Sequence, residues 1–168
     1  MWISTTGPSV FIQTNQAWFV PIVQSTHILG IAMVVGSITM MALRLLGWAG
    51  MDQTVRQTHA RYSPWLFGSI CLLAVTGVLM IIGEPVRELV SFSFWAKMAL
   101  IVIGIVVALI FERSLKKNEQ HWEDTLVHHG GVKALAVLTL LVWTGVIVMG
   151  RLIAYDHLWG ALSPAARY

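Results

Sequence analysis

Of the 168 residues, 57% are hydrophobic and 11% charged, with a mean hydropathy of +0.73. A soluble domain carries about 25% charged residues, and a soluble chain this short cannot hide so much apolar surface, so lipid must be the solvent for much of it. The net charge of +3 is of the kind that membrane proteins place in cytoplasmic loops, so nucleic acid is not an expected partner.

The chain opens with MWISTTGPSVFIQTNQAWF, which contains no Lys or Arg. A secretory signal needs a basic start and a small-residue cleavage site, so this stretch reads as retained. Its part PSVFIQTNQAWFV is amphipathic and predicts a short segment lying on the membrane surface ahead of the first span. Four stretches then meet the roughly 20-residue requirement for a spanning helix: about 21–43, 64–83, 94–111 and 133–155. The last two contain charge-free runs of 14 and 17 residues, so Lys97 and Arg151 fall near the interface and snorkel. Pro64 is expected in the first turn of span two, where its missing N–H costs nothing. Trp18, Trp48, Trp65, Trp95 and Trp159 fall near span ends, where an indole gains most; Trp143 is mid-span. Cys71 is the single cysteine and cannot form an internal disulfide; the absence of C-x-x-C-H excludes covalent c-type haem.

Positive charge fixes an expected orientation. Arg44, Arg56, Arg61, Arg113, Lys116, Lys117 and Lys133, seven residues, fall on one side; Arg87, Lys97, Arg151 and Arg167, four residues, fall on the other. The positive-inside rule puts the seven in the cytoplasm and both termini outside. The expected fold is all-α: one integral membrane domain over residues 1–168, a four-transmembrane-helix up-and-down bundle with a short N-terminal interfacial segment. The expected location is the bacterial cytoplasmic (inner) membrane.

Ionisable groups inside such spans are costly and mark sites. His27, in VQSTHILGIAMVVGS, sits six residues into span one, roughly 9 Å below the outer boundary. It reads either as a neutral histidine bonded to a backbone carbonyl or as an axial ligand to a haem or other metal, with a quinone or proton site as the third reading. Gly30, Gly77, Gly104 and Gly145 share about that depth, either as close-packing positions or as a slot for a flat cofactor. Met80 and Met149 are core fillers or a thioether second ligand, since His/Met is an established haem ligation. At the outer rim lie Glu84, Lys97, Arg151, Asp156 and His157; Lys97 and Arg151 are interfacial anchors or partners for haem propionates. A His27/His157 pair is about 13 Å out of register. On the inner side, His59 and His128 each precede a span by five residues, so a second haem is conceivable there; the other reading makes these, with His121 and His129, solvated loop histidines. No phosphate loop, nucleophile elbow or spaced zinc motif is present, and no catalytic residue is assigned.

The ordered motifs THILGIAMVVGSITMMALRLLG, SPWLFG, AVTGVLM, FWAKMAL and GRLIAY resemble a family of small bacterial four-helix integral membrane proteins of unassigned function, over roughly residues 17–155. The resemblance points to His27, Arg44, Pro64, Trp65, Gly77, Lys97 and Arg151, and gives no support to His59, His128 or His157. The family's acidic residue just before RLLG is missing here, where the chain reads TMMAL. A looser likeness, on architecture, is to small membrane cytochromes b. Together these readings lead to an expected membrane-embedded haem b electron-transfer protein with other membrane or periplasmic subunits as partners. The alternatives are a haem-free accessory subunit, or a minimal transporter or quinone-binding protein.

Overall fold

The computed structural model describes residues 2–117, 130–155 and 159. A single 3-10 turn, Trp2–Thr5, leads into α1 (Gly7–Thr14), with Pro8 in its first turn. Then follow α2 (Gln16–Leu46), α3 (Val55–Gly83), the short α4 (Pro85–Leu89), α5 (Phe92–Lys117) and α6 (Gly130–Leu152). Helices α2, α3, α5 and α6 are long and apolar enough to cross a membrane, and no strand occurs among the described residues. The chain is a multi-pass helical membrane protein.

The helices run past the apolar stretches that announce them. Helix α3 begins at Val55 because Thr54 and Gln57 form a capping box: Gln57 N–H donates to Thr54 Oγ1 (3.1 Å) and Thr54 N–H to Gln57 Oε1 (2.9 Å). Pro64 therefore lies inside α3 rather than in its first turn, which corrects the sequence expectation. Helix α2 ends where Gly47 takes φ +76°, a left-handed conformation that glycine adopts without Cβ strain. Behind it, Trp48 N–H reaches back to Leu43 O at 2.9 Å.

Helix α2 packs along both α3 and α6, and α5 packs along α6. Helices α3 and α5 form the loosest seam of the ring: the His59 and Phe111 rings meet across it at 5.9 Å and α4 joins the two at the N-terminal end. Call the end with Arg44, Arg56, Arg61, Arg113 and Lys116 the basic end, and the other the N-terminal end. Ala42, Leu45, Leu46, Val55, Val132 and Ala136 form the core at the basic end. Val34, Ile38, Leu66 and Trp143 form the middle. Between helices in lipid there is little hydrophobic drive, so close approach matters most. Glycine supplies it: a Cβ on Gly104 would lie 3.1 Å from the Trp143 indole, one on Gly30 3.0 Å from Leu73, and one on Gly145 3.2 Å from Leu100.

The outward faces remain apolar. Leu29, Val75, Val102, Ile110 and Leu141 are exposed, which is tolerable only where lipid covers them. Trp18, Trp48, Trp65 and Trp95 are also exposed, whereas Trp143 is buried. At the N-terminal end, α1 lies against α3, with Ile12 of α1 reaching Gly83.

Candidate functional site

His27 lies eleven residues into α2, roughly 16 Å along its axis. Its ring is half-buried, and Nδ1 is 2.7 Å from the Thr76 hydroxyl of α3. Thr76 itself donates to Leu72 O at 2.8 Å. A hydroxyl has one proton. With that proton on Leu72 O, Thr76 Oγ1 accepts from His27 Nδ1–H. In that arrangement the ring is the Nδ1–H tautomer and Nε2 keeps its lone pair; in the other tautomer Thr76 donates to Nδ1. Gly77 follows Thr76, and a side chain there would begin 3.8 Å from His27 Cε1. Thr76 of α3 thus flanks the ring on one side. The Lys97 ammonium of α5 is also within electrostatic reach of the ring.

Lys97 is held by its stem. Its Cδ would lie 3.5 Å from a Cβ on Gly150, and its ammonium sits 5.2 Å above the Phe94 ring centre. One turn beyond, on α4, is Glu88, 7% exposed. Burial, the largest influence, holds the Glu88 carboxyl above the ordinary carboxylate range; Lys97 and Arg87 pull partly against it, and Glu84 adds to it. A carboxyl that is a weaker acid when folded costs nothing while protonated in both states and destabilises the fold as pH rises above its unfolded pKa. Glu88→Gln is therefore expected to melt about 1–3 °C above the wild type near pH 7 and together with it near pH 4. A variant less stable at pH 7 would show instead that the Lys97 attraction outweighs burial.

A cleft of about 110 Å³ opens at the N-terminal end, bordered by Gln24, Met80, Glu84, Arg87 and Glu88. Glu84 and Arg87 pair at its mouth at 2.7 Å. Gln24 is one turn before His27 and Met80 one turn after Thr76, so the cleft floor stands one turn above the His27–Thr76 pair.

The remaining sequence candidates separate. Arg151 is exposed, its guanidinium 5.8 Å from the Tyr155 ring centre, so it does not turn inward beside Lys97. Met149 is half-buried on α6. His59 lies at the basic end, 17 residues and roughly 25 Å along α3 from Thr76. Its ring centre is 5.9 Å from Phe111, and it is within reach of the Glu112–Lys116 ion pair (2.7 Å). His59 also borders a second cavity, of about 70 Å³. His121, His128, His129, Asp156 and His157 lie outside the described residues. Thr76 and Glu88 escaped sequence reading. The available signal for Thr76 was a hydroxyl next to Gly77, at the depth already matched to His27.

Among the described residues, no three His, Cys, Asp or Glu side chains converge as a metal-ion site. What the chain offers instead is single basic nitrogens on an apolar scaffold.

Fold and site together define a four-span integral membrane protein with a half-buried histidine fixed between two of its helices. The chain belongs to the family of unknown function DUF6644, whose model matches residues 2–156. No curated protein and no solved structure matches it.

Proposed function

We propose that this chain is a membrane-embedded electron-transfer protein that binds haem b through His27, as one subunit of a larger redox complex. The observation that carries the reading is the His27–Thr76 hydrogen bond. Metal-ligating histidines characteristically donate their other ring N–H to a fixed acceptor, which sets tautomer and ring orientation. On this reading His27 Nδ1–H donates to Thr76 Oγ1 and Nε2 is the basic atom. A haem brings four nitrogens of its own, so one or two protein ligands suffice. That suits a chain whose described residues offer no clustered ligand set.

When bound, the haem supplies one-electron redox chemistry. The protein's share is to ligate, orient and neutralise. Lys97, half-buried and held on Gly150, is the cation best placed to offset a propionate, in preference to the outward-turned Arg151. Neither of these two cavities encloses a porphyrin's volume. The test is the absorption spectrum of protein purified from cells fed a haem precursor. A Soret band, with an α band after dithionite, is expected. Colourless protein at full expression would overturn the reading in favour of a haem-free accessory subunit.

We further propose that the basic end faces the cytoplasm of a bacterial inner membrane, with both termini outside; the seven-to-four excess of positive residues supports this. A C-terminal reporter active only in the cytoplasm is then expected to be silent; an active one reverses the orientation.

A further inference from the structure

The cavity at the basic end has its own chemistry. Its walls are apolar, among them Ile38, Val107 and Ala108, with three aromatic faces from Phe67, Phe111 and Trp143. A single titratable side chain, His59, borders it. That ring packs on Phe111 and makes no hydrogen bond among the described residues. Residues of all four spans line the cavity, and the loosest packing around it is between α3 and α5. At roughly 10–15 Å³ of such space per water, 70 Å³ holds about five waters, close to the bulk of one six-membered ring. Water is a poor occupant, because it needs two to four polar partners and these walls offer few, chiefly His59 and Thr139.

From this we infer that the cavity binds the ring of a lipophilic quinone, which enters sideways from the bilayer between α3 and α5. Each feature matches one part of that ligand. The aromatic walls take a flat ring. His59 donates a hydrogen bond to one ring oxygen. The loose seam leaves the isoprenoid tail in lipid. A lipid acyl chain would fill the same walls without using the His59 ring nitrogens. This inference does not depend on haem at His27, which lies at the other end of α3.

The full chain in lipid nanodiscs tests it, with decylbenzoquinone and its oxygen-free analogue decylbenzene as probes, each dosed per mole of lipid. Decylbenzoquinone is expected to bind saturably and raise Tm, and decylbenzene to bind about tenfold more weakly, the ratio that one hydrogen bond supplies. His59→Leu should remove that preference. Ala108→Leu, which fills the cavity, should abolish saturable binding while leaving any haem spectrum at His27 unchanged. Equal binding of the two probes to the wild-type protein overturns the inference and makes the cavity a lipid-chain site. No saturable binding of decylbenzoquinone overturns it outright. The wild-type comparison decides even if a variant fails to fold.

Discussion

His27→Gln is expected to lose the Soret band completely while still inserting and purifying at the wild-type level. Glutamine preserves the hydrogen-bonding capacity that faces Thr76: its amide N–H₂ can donate to Oγ1 as His27 Nδ1–H does across 2.7 Å. What it cannot supply is an imidazole nitrogen lone pair toward iron. The substitution therefore separates ligation from scaffolding. Thr76→Val gives the complementary result. It keeps the volume and removes the acceptor, so the ring loses its fixed tautomer and orientation; the expected cost is about 10–100-fold in haem affinity with the fold intact. A ladder of full, weakened and absent haem across wild type, Thr76→Val and His27→Gln is the signature of ligation. A histidine that only bridges α2 and α3 predicts the opposite pattern. In that case His27→Gln behaves like the wild type, and Thr76→Val melts earlier with its spectrum unchanged. An unchanged haem signal in His27→Gln would remove His27 as a ligand.

The second large effect lies at the opposite end. Arg44 is a charged residue only 6% exposed, in the last turn of α2. A cation is favoured there by the free carbonyls of the helix C-terminus. Its Nε donates to Gln53 O at 2.7 Å, and Nη1 approaches Met51 Sδ at 4.0 Å. The loop of residues 47–54 thus wraps the guanidinium, with Gly47 and Gly50 at φ +76° and +68°. Gly50 lies close enough that a Cβ would sit 3.7 Å from Arg44 Cδ. Arg44→Leu keeps the apolar stem and leaves the Gln53 carbonyl without its charged donor. Losing one side of a buried charge-assisted bond costs about 2–4 kcal/mol. For a chain of this size that corresponds to a fall of roughly 4–16 °C in Tm at fixed scan rate. Limited proteolysis should then cut within residues 47–54. A melting point within a degree of wild type, with no new cleavage, would show that the loop holds itself.

Spans were legible because a bilayer enforces one simple rule, a long apolar run. Helix ends were not, because beyond the lipid the helix continues on caps rather than on hydropathy. Thr54 and Gln57 start α3 nine residues before Pro64, where the apolar reading had begun it. His27 stood out by its cost in an apolar stretch. Thr76 did not, since a threonine in a membrane helix can satisfy its own hydroxyl on Leu72 O and gives no sign of a partner on another helix. The glycines were visible as a level, but their use depends on which neighbour arrives: Gly104 faces the Trp143 indole, whereas Gly77 faces the His27 ring. The resemblance pointed to Arg44, but the residues themselves gave it only as a positive charge on one side. Its burial depends on how the loop folds back, which no periodicity encodes. The seam was not legible either, because hydropathy does not say which helices touch.

That seam gives the bundle the mechanics of a book. One cover is α2 with α3, the other is α5 with α6, and the spine is the α2–α6 contact. Across the described residues the fore-edge has no comparable binding. Turning one cover about the spine leaves the α2–α3 and α5–α6 packings whole. With helix axes about 10 Å apart, a turn of ten degrees moves the fore-edge by roughly 2 Å. At the N-terminal end α4 ties α3 to α5, so such a motion opens chiefly at the basic end, beside His59.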